Sequence, residues 1–426
     1  MAKHLKTEFL GLCRYLQDPH LVARFQRTCG VQGTFPRRCE EHNGDCAKDD
    51  LRQRSRPVQV ERSPALMNGA AQPTAHSECS LQETDSRGTL KPLRKNSLTG
   101  DIGQEFIIEN RPLFYLFTFG TELGNEMFFI IFFPFLYWNV DACVSRRLII
   151  VWELILYLGQ CAKDLVRWTR PASPPVVKVE VFYNTEYSMP STHAMTGTAL
   201  PLSLLLLTYG RWQYPFVFGL CLVVCWSLLV CISRIYMGMH SVLEVIAGFL
   251  YSLLILTVFH PALHAIDHFY QTYSYAPLVI VALHVGLGLL AFSLDTWSTS
   301  RGDTAQALST AMGAALASHL NHQLGLMPDP PMSHLPFSIP PLSGALLCRS
   351  LLRLLLGVAV LLATRALMKA LTIPLVCRIF GIPCNDVRKA RQLMEVELPY
   401  RYIVYGTVGF SCIFLVPLLF VWLNLS

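Results

Sequence analysis

Charged residues are scarce in this chain. Asp, Glu, Lys and Arg make up 15% of its 426 residues, against 52% hydrophobic residues. Soluble domains carry about a quarter charged residues, so this share, with a mean hydropathy of +0.38, excludes an ordinary soluble globular protein and points to a polytopic membrane protein. The net charge of +6 is too small for a nucleic-acid-binding signature. Fourteen cysteines are present, but no C-x-x-C pair and no zinc-type spacing, so they read mostly as small apolar fillers. The first residues, "MAKHLKTEFLGLCRYLQDPH", lack a continuous apolar core and a cleavage site, so no cleaved signal peptide is expected. Internal repeats are absent too.

What is present is a succession of long apolar runs. Residues 1–110 read as a mostly disordered tail. Leu5, Phe9, Leu12 and Leu16 mark one amphipathic surface helix, and a polar stretch without period follows from residue 27. Runs of spanning length then recur near 113–137, 147–165, 194–209, 215–233, 242–261, 276–294, 304–322, 348–371 and 402–423. The expected fold is therefore an all-α membrane helical bundle of about eight to ten spans, with core spans at 112–261 and additional spans at 262–426.

Three polar islands interrupt these runs. "KDLVRWTRP" places Lys163 and Arg170 seven residues apart, on one face if the helix continues. By themselves they also suit ordinary interfacial cations with apolar stems in lipid. "YSMPSTHAM" sets Ser191, Thr192 and His193 at the mouth of an apolar helix, where an N-cap explains one hydroxyl but not the histidine. "SRIYMGMHSVLE" sets Arg234 beside His240 and Glu244, which stand four apart as in a structural His–Glu pair. Span parity brings all three islands to one membrane face.

Two histidines, a carboxylate and three long cations compose a reaction site. Lys163, Arg170 and Arg234, with Ser191 and the backbone N–H of Thr192, suit a phosphoryl group. His240, oriented by Glu244, is the better nucleophile, which leaves His193 to protonate the leaving alkoxide and then activate water. The cations do the charge neutralisation that many phosphatases assign to metals, so neither a metal nor another cofactor is expected. His260, His264 and His268 recur every four residues, but an exposed loop with only Asp267 as an added ligand is a poor metal site.

The ordered pattern Lys163…Arg170-Pro171, Pro190-Ser191-Thr192-His193, Ser233-Arg234…His240…Glu244 resembles the type 2 phosphatidic acid phosphatase superfamily. Two positions depart: Thr192 stands for a glycine and Glu244 for an aspartate. Further stretches, "SLTGDIGQEF", "FGTELGNEMFF" and "VELPYRYIVYG", resemble the sphingosine-1-phosphate phosphatases, its type 1 members in particular. The resemblance implies hydrolysis of sphingosine 1-phosphate and dihydrosphingosine 1-phosphate through a phosphohistidine. It also implies a multi-pass protein of the endoplasmic reticulum membrane with a lumen-facing site. Positive charges at Arg378, Arg388, Lys389 and Arg391, and a basophilic kinase pattern at Ser97, argue instead for the cytosol; the lumen is the expectation adopted. A lipid phosphotransferase of the same fold, or a lipid or phosphate transporter, is the alternative. Glu122 or Glu126, four apart in the first span, is expected to neutralise the sphingoid ammonium, the alternative being helix packing on a Gly-rich face.

Overall fold

The computed structural model describes residues 2–33, 89–91, 106–180, 186–294, 300–341, 343–383, 386–390 and 393–425. The chain divides into a large unit, Met1–Thr34 with Thr89–Ser426, and a second unit, Phe35–Gly88, that lies outside the described residues together with Ser97. The large unit is a helical bundle. Two N-terminal helices, α1 (Ala2–Gln17) and α2 (Pro19–Thr28), precede a small antiparallel sheet of β1 (Val31–Gly33), β2 (Thr89–Lys91) and β3 (Phe106–Ile108), with β3 central. Helix α1 falls on the predicted amphipathic stretch, whereas β1, β2 and β3 lie where the sequence shows no period. Gln26 explains the docking: its buried amide donates to the carbonyls of Val177 and Tyr236 at 2.7 and 2.9 Å and accepts from the Val177 amide at 2.9 Å.

The first predicted span is two helices, α3 (Arg111–Glu122) and α4 (Glu126–Asn139). Gly124 and Asn125 lie in the break. A Cβ on Gly124 would stand 2.8 Å from the His193 ring, so only a bare backbone passes there. The bundle continues through α5 (Ala142–Val166), α6 (Thr192–Thr208), α7 (Phe216–Tyr236), α8 (Val242–Phe259), α9 (Leu263–Thr272), α10 (Ala276–Leu294) and α11 (Ser300–Gln323). It closes with α12 (Gly344–Ile379), α13 (Val387–Ala390), α14 (Met394–Phe410), a π turn at Ser411–Leu415 and α15 (Val416–Trp422). Five helical segments among the described residues are long and apolar enough to cross a membrane: Phe216–Tyr236, Val242–Thr272, Ala276–Leu294, Gly344–Ile379 and Met394–Trp422. Val217, Phe218 and Leu278 on α7 and α10 stand 67–74% exposed, which in water is unfavourable and in a bilayer is the lipid contact.

Local chemistry sets the helix starts. Asn110 caps α3, Asp141 accepts from the amides of Cys143 and Val144 to cap α5, and Ser191 caps α6. The core fills with aromatic rings from α4 and α5, where Phe129, Phe133 and Trp152 pack against one another. Small residues of α11, Ala307, Ala311, Ala314 and Ala317, let it run through the middle of this core.

The two ends of the bundle differ. At one end Arg146 and Arg147 both donate to Asp267, and Arg146 also to Asp329. His264 and His268 stack on α9 without joining a ligand cluster. Among the described residues the one group at metal-ligand spacing is Cys143, Asp267 and Asp329, and both its carboxylates already serve these arginines. At the other end the C-termini of α5 and α7 meet the N-termini of α6 and α8, and the three polar islands come together.

Candidate active site

The site is built from helix ends, where unpaired backbone groups and loop residues face the same space. Helix α5 stops at Val166 because Arg167 takes the left-handed conformation (φ 56°) with its amide bonded to the Lys163 carbonyl at 2.9 Å. Arg170 therefore does not share a helical face with Lys163, as the seven-residue spacing predicts. It comes from the following loop, anchored by a 3.1 Å bond from Nη1 to the Met239 carbonyl. The two cations converge all the same. Both reach the Glu186 carboxylate, Lys163 Nζ at 2.5 Å and Arg170 Nη2 at 2.8 Å.

Arg234, 2% exposed at the end of α7, donates through Nη1 to Glu180 at 2.9 Å. Its buried Nε has no partner among the described residues. Three buried or nearly buried cations thus point inward, and carboxylates from one loop answer them.

At the start of α6, Ser191 is fully buried, and its amide donates to the Glu244 carbonyl at 3.2 Å. Thr192 accepts from Lys163 Nζ at 3.3 Å. Its extra bulk, where the resemblance has glycine, is accommodated by Gly159 on α5: a Cβ there would stand 3.0 Å from the Thr192 methyl. His193 Nε2 lies 2.9 Å from Asn125 Oδ1, and Asn125 in turn donates to Glu122 at 3.1 Å. Glu122 is exposed, and because of the break after it, it shares no continuous helix with Glu126, correcting the single-span expectation. Glu126 opens α4, and its side chain lies outside the described residues.

His240 precedes α8 instead of lying on it, because Ser241 is the N-cap and Glu244 the third helical residue of a capping box. Their contact is present at 3.0 Å, from Nδ1 to Oε2. A carboxylate only accepts, so Nδ1 carries the proton and Nε2 keeps a free lone pair. The same Glu244 oxygen accepts from the Ser241 amide at 3.1 Å and from the Ser188 hydroxyl. Burial, followed by Arg170, Arg234 and Lys163, pushes His240 well below the ordinary histidine pKa, so the imidazole is neutral near pH 7. Burial opposes ionisation of Glu186, but Lys163 and Arg170 outweigh it and hold its carboxyl well below the usual range. Lys178, bonded to the Gly238 carbonyl at 2.6 Å, is pushed down to about 8 by burial and then by Arg170.

The residues named from sequence at the three islands, from Lys163 to Glu244, assemble around one space. Sequence reasoning missed Asn125, Ser188, Glu180, Glu186 and Lys178. Ser188 lies inside the quoted "YSMPSTHAM" and Asn125 between the two flagged glutamates, so proximity to a motif was their only signal. The loop acids carried none.

A buried imidazole with a carboxylate on one nitrogen, in a site that also gathers three cations, suits covalent transfer of an anionic group. Comparison with known proteins agrees: the sequence model of the PAP2 superfamily matches residues 146–267, the stretch carrying all three islands. Over 96% of its length the chain is 54% identical to sphingosine-1-phosphate phosphatase 1 of Rattus norvegicus, 97% of which is covered. It is 37% identical to sphingosine-1-phosphate phosphatase 2 of Homo sapiens over 97% of this chain and 99% of that protein. Dihydrosphingosine 1-phosphate phosphatase YSR3 of Saccharomyces cerevisiae is 30% identical over 31% of this chain and 34% of its own. No solved structure matches. The chain belongs to the sphingosine-1-phosphate phosphatase family of the PAP2 superfamily.

Proposed function

We propose that this protein hydrolyses sphingosine 1-phosphate and dihydrosphingosine 1-phosphate to the free base and phosphate, working in the bilayer as a multi-pass enzyme. His240 Nε2 attacks phosphorus, the ester P–O bond breaks, and His193 delivers its proton to the leaving alkoxide. His193 then takes a proton from water as the hydroxyl oxygen attacks the phosphohistidine, releasing phosphate and restoring His240. Lys163, Arg170 and Arg234 neutralise the phosphoryl oxygens, and Ser191 and the Thr192 amide add hydrogen bonds at the start of α6. Glu244 fixes the His240 tautomer and stabilises the imidazolium that forms. The observation that carries this reading is the 3.0 Å His240 Nδ1–Glu244 contact, which leaves Nε2 as the nitrogen for attack.

The catalytic core in this reading is 112–261, with 262–426 as added membrane spans, and the membrane is that of the endoplasmic reticulum with the site facing the lumen. Gln26 ties α2 to the loop at Val177, so the N-terminal helices share the site's side. A glycosylation sequon inserted near Tyr187 should be modified, and an unmodified sequon would reverse the orientation. The activity test is phosphate release from sphingosine 1-phosphate by the full chain in detergent. Release should survive EDTA, vanish in His240→Ala, and exceed release from phosphatidic acid. A lipid product that keeps the phosphate would make the protein a transferase instead. Glu122 and Glu126 are the ammonium partners the sequence suggests, and Glu122 is linked to His193 through Asn125.

A further inference from the structure

The loop between α5 and α6 supplies two carboxylates to a site built to hold an anion. Glu186 bridges Lys163 and Arg170 at 2.5 and 2.8 Å, so its two oxygens stand where two phosphoryl oxygens would. Glu180 does the same for Arg234 at 2.9 Å. A phosphate that takes over these cations must displace the carboxylates from them. Glu186 cannot travel far. Two residues on, the Ser188 amide is bonded to the Trp168 carbonyl at 2.7 Å and its hydroxyl to Glu244, and the chain then enters α6 through the buried Ser191.

The displaced Glu186 is then a carboxylate beside the bound phosphate with no cation of its own. Its side chain is 18% exposed, and an ion in such a place is unfavourable unless a new partner arrives. A sphingoid phosphate brings one, because its ammonium sits on the carbon next to the one bearing the phosphate ester. A glycerol phosphate with ester-linked or free hydroxyls brings none. Resting on the phosphatase reading above, we propose that Glu186 receives the substrate ammonium and sets the preference for sphingoid over glycerol phosphates.

The charges agree with this assignment. The clamp holds three cations against two carboxylates, a surplus of one positive charge. A dianionic phosphate with an ammonium carries a net charge of about −1 and brings the clamp to neutrality, whereas a phosphate without it leaves an unbalanced negative charge. Glu186 is favoured over Glu180, whose side chain is 30% exposed and meets one cation. It is favoured over Glu122, which is exposed and meets the site only through Asn125. Glu186 is a specificity residue by this account: it touches substrate but takes no part in phosphoryl transfer.

The test compares kcat/KM for sphingosine 1-phosphate with that for its N-acetyl analogue, which keeps the phosphate and chain but loses the charge. In the full-length wild type the charged substrate should be favoured by about tenfold to a hundredfold, as hydrogen bonds between charged groups are. Glu186→Gln should collapse that ratio, and Glu186→Asp should restore part of it. An unchanged ratio in Glu186→Gln, with both substrates falling together, overturns the inference, as does a ratio that moves in Glu122→Gln and not in Glu186→Gln. Should Glu186→Gln not fold, the wild type serves: phosphoethanolamine should inhibit at about tenfold lower concentration than ethyl phosphate, and equal inhibition overturns the inference. Failure of the phosphatase reading is distinct, because the wild type would then release no phosphate from either lipid.

Discussion

Gly248 tests whether the nucleophile and the acid are held in place by direct contact between the backbones of α6 and α8. It lies one helical turn beyond Glu244, and a Cβ there would stand 2.7 Å from the Ser191 carbonyl oxygen and 3.3 Å from the Ser191 nitrogen. Ordinary contact begins at 3.4 Å, so Gly248→Ala requires the start of α6 to recede by about 0.7 Å. Backbone cannot swing aside as a flexible side chain would. The Ser191 amide is also bonded to the Glu244 carbonyl at 3.2 Å, so the strain falls on the joint between the two elements. Overpacking of this kind costs about 1–3 kcal/mol of stability, which leaves the protein folded. A misplacement near 1 Å costs about a hundredfold in rate, so kcat should fall about tenfold to a hundredfold, or about 1.4–2.7 kcal/mol of barrier. The assay is phosphate release from sphingosine 1-phosphate under saturation, with thermal unfolding followed in parallel. Gly286→Ala is the control, since nothing lies within 4 Å of a Cβ there. Wild-type kcat in a folded Gly248→Ala protein, or an equal loss in the control, would refute the reasoning.

Other perturbations follow from the same geometry. Asn125→Ala removes the 2.9 Å contact to His193 Nε2 and should lower kcat about tenfold with little change in KM; an unaltered kcat would deny Asn125 a positioning role. Glu244→Gln keeps the fold but loses the charge that stabilises imidazolium at His240, so kcat should drop by about a hundredfold or more, measured beside an unchanged melting temperature. Because His240 is held well below the ordinary value of 6.5, the acid limb of kcat/KM for this residue should lie below pH 6.5. Arg170→Gln removes one of the charges that disfavour its protonation, so that limb should move up in pH, and a downward shift would contradict the assignment. Glu153 and His284 form a 3.0 Å pair between α5 and α10, each under a tenth exposed. Glu153→Leu strands the histidine and should destabilise the protein by about 3 kcal/mol, read as a lower temperature of inactivation in detergent.

By itself the sequence determined the class of fold and marked three polar islands within it. Spanning helices are legible because a bilayer demands long apolar runs whose backbone bonds close internally. The three polar islands are legible because charged residues stand out against such runs. Caps mark their own helices: Ser191 and Ser241 announce α6 and α8 in the local order of residues. The spacing of Lys163 and Arg170 was misleading for a local reason too, since nothing in the composition marks Arg167 as the left-handed residue that ends α5.

Only the tertiary structure decided which groups answer the cations. Glu180 and Glu186 carry no periodic signal, and their roles depend on where the end of α5, the loop after it and the end of α7 deliver Lys163, Arg170 and Arg234. The break at Gly124, which brings Asn125 to His193, depends on a close approach of the Gly124 backbone to the His193 ring. The docking of Gln26 on Val177 crosses 151 residues of chain. Hydrophobic runs and caps are properties of neighbouring residues and are therefore written locally. Ion pairs and backbone approaches are properties of packing, and packing is settled only when the whole bundle closes.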